Sequence, residues 1–268
     1  MNRLSINEMT TFRWTFDEDV THYREAGIEA IGVWRQKLSD FGEERGVDLL
    51  AESGLAVSNL LWAGGFTGSE GRNFRESIED AEEAIRLAAA MQAGSLVLYS
   101  GARNCHTHNH ARRLMRAALT ELVPVAADRE VHLALELMHA RCATEWTFLT
   151  DLSQAMDLIG EIGSPHLKLA FDTYHLGHDE KILGRIAELA PQTVIVHLGD
   201  SKELPDQDQN RCPLGEGSLP LRAMVRGLID AGYQGDFDVE LMGEEIENSD
   251  YRALIAQSKS AFDEMVAC

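Results

Sequence analysis

The chain has 268 residues, 44% of them hydrophobic and 25% charged, with a formal net charge of −20; this length and balance support a sizeable buried core and exclude disordered and fibrous classes. The acidic excess opposes binding to phosphate backbones, which needs a basic footprint, so nucleic acid is not expected as a partner. No apolar run approaches the roughly 18 residues of a membrane span, and the start Met1-Asn2-Arg3-Leu4-Ser5-Ile6-Asn7-Glu8 lacks the apolar segment and cleavage site of a signal peptide, so a cytoplasmic protein without a membrane partner is expected.

Cys105, Cys142, Cys212 and Cys268 are scattered with no CxxC pair, which reads as reduced structural thiols and not as a disulfide or zinc framework. Strand and helix patterns then alternate along the chain. The first unit is Leu4 to Phe12 with a helix from Phe16 to Ala26; the second is Ala30 to Trp34 with a helix from Phe41 to Glu52. The third strand, Ala56 to Trp62, leads into the Gly-rich Ala63-Gly64-Gly65-Phe66-Thr67-Gly68, expected as a mobile loop over a site. Its helix shows a single apolar stripe, with Phe74, Ile78, Ala81, Ile85 and Ala88 stepping by 4, 3, 4 and 3, and Gly94 stops it.

Ser95 to Ser100 is the fourth strand, followed by a helix from Asn109 to Asp128. His132 to Leu137 pairs with Leu152 to Ile162, and Leu167 to Thr173 with Glu180 to Leu189. Thr193 to Leu198 precedes a polar loop from Asp200 to Gly217 and a helix from Leu219 to Ala231; Asp236 to Leu241 precedes a last helix from Tyr251 to Met265. Eight strands and eight helices in alternation, near the usual barrel length of about 250 residues, predict an α/β fold, a single (β/α)₈ TIM barrel over residues 1–268. A doubly wound sheet competes, but the first strand–turn–helix has no GxGxxG and no boundary splits the chain.

Strand C-termini of such a barrel converge on one mouth. Glu136, Asp172, His197 and Glu240 end strands five to eight, so four groups distant in sequence become neighbours. Three carboxylates and one imidazole form an oxygen-rich set suited to a divalent metal, Mn²⁺ first and Mg²⁺ or Co²⁺ next, whereas Zn²⁺ more often takes several His or Cys. Each acid taken singly could be only a cap or a surface group.

Several segments resemble the xylose isomerase-like TIM barrels, the sugar phosphate isomerase/epimerase superfamily. They are Leu133-Ala134-Leu135-Glu136-Leu137-Met138-His139, Phe171-Asp172-Thr173-Tyr174-His175, Val196-His197-Leu198-Gly199-Asp200, Arg211-Cys212-Pro213-Leu214-Gly215-Glu216-Gly217, and Ala231-Gly232-Tyr233-Gln234-Gly235 leading into Val239-Glu240. The resemblance covers about residues 130 to 245 and is only architectural before them. It implies Glu136, Asp172, His197 and Glu240 as metal ligands, with His175 and Arg211 touching substrate oxygens. It also carries an expectation of a homodimer or homotetramer paired through outer helices, which the residues themselves do not decide. The chain departs from the family pattern at Leu137, where relatives usually have Pro, and at Gly32-Val33-Trp34-Arg35, which lacks their acidic residue. Leu176-Gly177 stands where an aromatic is common and is expected to open the pocket.

The implied activity is a divalent-metal-dependent isomerase or epimerase of a sugar, keto-sugar or polyol derivative, acting through a metal-stabilised enediolate. Glu136 and Glu240 would exchange the proton from opposite faces. A dehydratase of a keto-polyol, of the inosose dehydratase kind, is the alternative; an apurinic endonuclease-like nuclease and a noncatalytic sugar-binding barrel stand behind it. His139, Trp34 and Trp62 are further candidate substrate contacts, the tryptophans with Phe66 as an apolar wall for a sugar ring. Asp200 is expected either to hold His197 or to cap its loop. His106-Thr107-His108-Asn109-His110 reads as substrate-lining or helix-starting, its spacing alone being a weak sign of a second metal.

Overall fold

The computed structural model describes residues 2–143, 145–207 and 209–267, so Met1 and Cys268 lie outside the described residues. Its strands are β1 (Leu4–Asn7), β2 (Ala30–Trp34), β3 (Ala56–Gly64), β4 (Leu96–Tyr99), β5 (Leu133–Leu135), β6 (Leu167–Asp172), β7 (Thr193–Leu198) and β8 (Phe237–Val239). They close into a barrel in chain order, every neighbour parallel, with β8 returning to β1 at Ser5 opposite Asp238. This is the (β/α)₈ TIM barrel expected from the alternation of patterns.

The helices are α1 (Phe16–Glu25), α2 (Arg35–Phe41), α3 (Glu43–Ser53), α4 (Phe74–Ala90), α5 (His108–Asp128), α6 (Leu152–Ile162), α7 (Thr173–Leu176), α8 (Ile182–Leu189), α9 (Leu221–Asp230), α10 (Glu244–Glu247) and α11 (Tyr251–Val266). Local chemistry sets their ends. Asn73 accepts from the N–H groups of Arg75 and Glu76 and completes a capping box with Glu76, which starts α4; its Ile78, Ala81, Ile85 and Ala88 are buried. The helix expected from Phe41 to Glu52 is α3, and a further short helix, α2, precedes it where none was expected; Gly42 at φ 105° ends α2 and starts α3. A side chain at Gly46 would strike Leu38, so α2 and α3 pack at glycine distance.

The barrel separates two apolar layers. Leu96, Leu98, Leu133, Leu135 and Leu169 point outward into the large core shared with the helices. Leu61, Val97, Ala134, Ala170 and Ile195 form a smaller cluster inside. Side chains alternate along a strand, so the next inward position after Val97, Ala134, Ala170 and Ile195 is two residues on: Tyr99, Glu136, Asp172 and His197. Apolar filling therefore gives way to polar groups at the C-terminal mouth.

The loop after β3 is held, not loose. Ser77 Oγ donates to Gly65 O (3.2 Å), Thr67 Oγ1 donates to Ala102 O, Asn104 Nδ2 donates to Thr67 O (3.1 Å), and Phe66 is fully buried. These bonds tie the loop to the segment after β4 and to α4. Among the described residues no helix is long and apolar enough to cross a membrane.

Candidate metal centre and cavity

Four consecutive strands deliver the centre. Asp172 is the last residue of β6 and lies opposite His197 of β7; Glu136 and Glu240 follow directly on β5 and β8. One ligand atom from each of the four lies within 4.8 Å of all the others, and all four side chains are buried. His197 Nδ1 is 3.0 Å from Glu136 Oε1 and 3.2 Å from Glu240 Oε2. Donors so close, three of them oxygens, are a set suited to holding a single divalent ion.

Arg211 sits beside this group, 2% exposed. Its Nη2 lies 3.1 Å from Asp172 Oδ2, and its Nη1 donates to the Glu240 carbonyl (2.7 Å) and to Glu240 Oε2 (3.2 Å). The guanidinium also stacks 4.6 Å from the centroid of the Tyr174 ring, whose hydroxyl donates to Asn210 Oδ1. Asp172 divides its work between its two oxygens. Oδ1 accepts from the N–H groups of Tyr174 (2.6 Å) and His175 (3.1 Å), so the strand turns at once into the four-residue α7, while Oδ2 faces Arg211.

The environment pushes the ionisable groups apart. Burial alone would raise the Glu240 carboxyl, but Arg211 and His197 outweigh it and hold it down at about 2. Glu136 goes the other way, raised chiefly by burial against the smaller pull of His197. Burial would favour neutral His197, yet the charges of Glu240 and Glu136 lift the imidazole well above its ordinary value. His175, wholly buried, is lowered to about 4 by desolvation. Its Nδ1 accepts the backbone N–H of His139 (3.3 Å), which leaves the proton on Nε2, 3.9 Å from Asp172 Oδ2.

A cavity of about 1060 Å³ opens over the centre. Glu136, Glu240, His175, Arg211, Trp34 and Trp62 all line it, whereas Asp172 and His197 do not reach its surface. His139 lines a separate pocket with His178, and Leu176 lies there too; Leu176 packs into the core. The adjacent Gly177 opens nothing: a side chain there would meet Thr173, Met224 and Leu219, so it serves the close packing of α7 on the α9 side. Phe66 belongs to the core and not to the cavity wall.

Other side chains take structural posts. Asp200 does not hold His197; its two oxygens accept from the N–H groups of Ser201, Gly215, Gly217 and Leu219, which caps the loop after β7. His106 Nε2 lies 3.1 Å from Thr67 O, its ring stacks on His110, and Thr107 caps α5 at His108. Among the described residues the metal-ligating group above contains none of these three histidines. Cys105, Cys142 and Cys212 are free thiols.

Phe12, Tyr99, Trp146, Gln209, Arg35 and Asp80 also line the cavity, beyond the candidate contacts expected from the sequence. Tyr99 was discoverable from the inward phase set by Val97; Trp146 and Gln209 come from loops that carry no periodic signal.

Residues 20–261 match the family model described as xylose isomerase-like TIM barrel. Among curated proteins, the chain is 32% identical over 118 residues to a D-psicose 3-epimerase of Enterocloster bolteae, covering 44% of this chain but only 36% of that protein. It is 26% identical over 237 residues to a ketose 3-epimerase of Arthrobacter globiformis, covering 83% and 78% of the two chains. Among solved structures, protein SMc04130 of Sinorhizobium meliloti 1021 superposes with a TM-score of 0.90 at 25% identity, covering 98% of each chain. The IolI protein, solved with a zinc atom, superposes at 0.86 with 19% identity and 98% coverage of each, a likeness of fold. The matched span takes in most of the barrel, and the chain belongs to the xylose isomerase-like TIM-barrel family.

Proposed function

We propose that the protein is a divalent-metal-dependent epimerase or isomerase of a keto-sugar or keto-polyol, with Mn²⁺ as the preferred ion. The observation that carries this reading is the convergence of Glu136, Asp172, His197 and Glu240 within 4.8 Å at the barrel mouth. The epimerase names of the curated relatives agree with it. Glu136, Asp172, His197 and Glu240 would hold the ion, which would supply Lewis-acid stabilisation of the negative charge that develops beside the carbonyl.

The rest of the chemistry falls to the chain itself. Glu136 and Glu240 come from the two ends of the four-strand arc, so a bound sugar carbon between them meets one carboxylate on each face. One removes the proton beside the carbonyl and the other returns it, which inverts the centre. Arg211 fixes Asp172 and Glu240 in orientation through its paired contacts with both. His175, neutral above its lowered pKa of about 4, offers Nε2–H to a substrate oxygen at the cavity wall. Trp34 and Trp62 give the ring an apolar face to lie on.

The test is purified protein with Mn²⁺ and free ketohexoses or inososes in D₂O, followed by NMR. Exchange of the carbon-bound proton with inversion is expected, and Glu240→Gln should lower the rate by roughly 10²–10⁴-fold. Full activity in Glu240→Gln would overturn the mechanism, and loss of water in place of exchange would make the protein a dehydratase.

A further inference from the structure

Resting on that reading, we infer that the substrate is an uncharged, non-phosphorylated ketose or keto-polyol, and that the cavity discriminates against the phosphate ester of the same sugar. Recognition of a phosphate dianion calls for guanidinium or ammonium groups free to meet it, or for backbone N–H groups at a helix N-terminus. Among the described residues the cavity lining has no lysine and two arginines, and both arginines are already committed.

Arg211 is held beside the centre by Asp172 and Glu240. Arg35 lies at the outer wall, where its Nη1 donates to Asp80 Oδ2 (3.0 Å) and to the Trp62 carbonyl (3.0 Å) and its Nη2 donates to Asp80 Oδ1 (3.1 Å). Asp80 is also paired with Arg72 (2.8 Å), and Arg72 in turn with Glu70, which accepts from the Tyr99 hydroxyl. Two cations and two carboxylates thus balance along this wall. A phosphate would have to displace Asp80 from a two-point contact.

The remaining rim repels anions. Glu43, Glu244 and Glu247 line it, and the four-residue α10, which meets the cavity at Gly243 and Glu244, carries Glu244, Glu245 and Glu247 in its first turn; the seven-residue α2 meets the cavity at Trp34, Arg35 and Gln36, with the Trp34 N–H taken by Glu8 and the Arg35 side chain by Asp80. Exposed carboxylates are screened beyond roughly 8–10 Å, so each contributes little alone; together with the engagement of both arginines' Nη groups by carboxylates they disfavour a phosphate. Hydroxyl groups suit the same surface, because carboxylates and the Gln36, Gln207 and Gln209 side chains accept and donate hydrogen bonds to a polyol. Phe12, Trp34, Trp62 and Trp146 supply flat apolar faces for its C–H groups.

Calorimetric titration of the Mn²⁺-loaded protein with D-fructose against D-fructose 6-phosphate, and with D-ribulose against D-ribulose 5-phosphate, tests this, with turnover of each measured alongside. The free sugar of each pair is expected to bind roughly 100-fold more tightly than its ester. In Asp80→Asn, which releases Arg35, the ester should gain about tenfold relative to the free sugar. Equal or tighter binding of the esters by the parent protein would overturn the inference while leaving the epimerase reading intact. An unmoved ratio in a folded Asp80→Asn protein would overturn the role given to the Arg35–Asp80 pair. Absence of binding and exchange with every ketose would remove the sugar reading itself, and this inference with it.

Discussion

Arg211 connects the ends of two strands that never touch in sequence, since one guanidinium meets Asp172 of β6 and both the side chain and carbonyl of Glu240 beyond β8. Its charge offsets carboxylates that would otherwise repel one another in a buried space. Removing one partner of such a buried set leaves uncompensated charge, which costs roughly 3–5 kcal/mol. Arg211→Gln is therefore expected to lose about that much unfolding free energy in metal-free buffer. Arg211→Lys, which keeps the charge but not the planar fork, should lose less. Denaturant titration of the three proteins in EDTA measures the difference, and equal stability of Arg211→Gln and the parent would refute the bracing role. The type of this residue and its place before Pro213 were readable in the sequence. Its burial beside the centre was not, because a loop position carries no periodicity from which to infer the direction of a side chain.

At the scale of elements, the segment from Asp200 to Leu219 carries Arg211 to the centre, and a single carboxylate organises it. Four backbone N–H groups converge on Asp200, and Cys212 N–H donates back to its carbonyl at 2.9 Å. Gly217 approaches so closely that a side chain there would strike the Asp200 carboxylate. Asp200→Ala strands several donors at once, each worth about 1–3 kcal/mol when left unmet in a buried site. A loss of roughly 2–4 kcal/mol in stability, with a fall in turnover because Arg211 loses its support, is the expected result. Asp200→Asn retains one acceptor oxygen and should recover part of both; thermal unfolding and kcat on the same samples would show it. The same scale explains which elements could be read beforehand. Helix α4 announced itself through a stripe and a glycine stop, whereas α7 and α10 are single turns of four residues, too short to show a period. The break at Gly42 was visible as a glycine but not as a boundary, since only the packing of Leu38 against Gly46 fixes α2 and α3 as separate rods.

The whole barrel was legible because each βα unit is punctuated locally, and the mouth was legible because parallel strands all end on one side. Polar groups inside the closed sheet were not, since their partners come from strands far apart in the chain. Asp238 lay within the strand read from Asp236 to Leu241 with no role assigned to it; it is fully buried and accepts from Asn7 Nδ2 and Asn59 Nδ2, both at 2.7 Å. Near the ends of β1 and β2 a second such group couples stability to pH. Glu8 is fully buried; its Oε2 accepts from Trp34 N–H (2.7 Å), and its Oε1 has no hydrogen-bond partner. Asp19, itself paired with Lys37 at 2.6 Å, adds a second negative charge beside it. Burial first, and then Asp19, raise the Glu8 carboxyl well above the usual carboxylate range. A carboxyl raised in the folded state binds its proton more tightly there than in the unfolded chain, whose value is about 4.3. Its favourable contribution is complete below that unfolded value and is lost as pH rises through the folded one. Glu8→Gln keeps a carbonyl oxygen for Trp34 N–H and cannot ionise. The variant should therefore unfold near the parent at pH 5 and above it at pH 8, by roughly 1–3 kcal/mol. Chemical denaturation across that range checks the sign: a parent that gains stability relative to Glu8→Gln as the pH rises would mean that Glu8 is folded as a carboxylate, with Lys37 holding both acids.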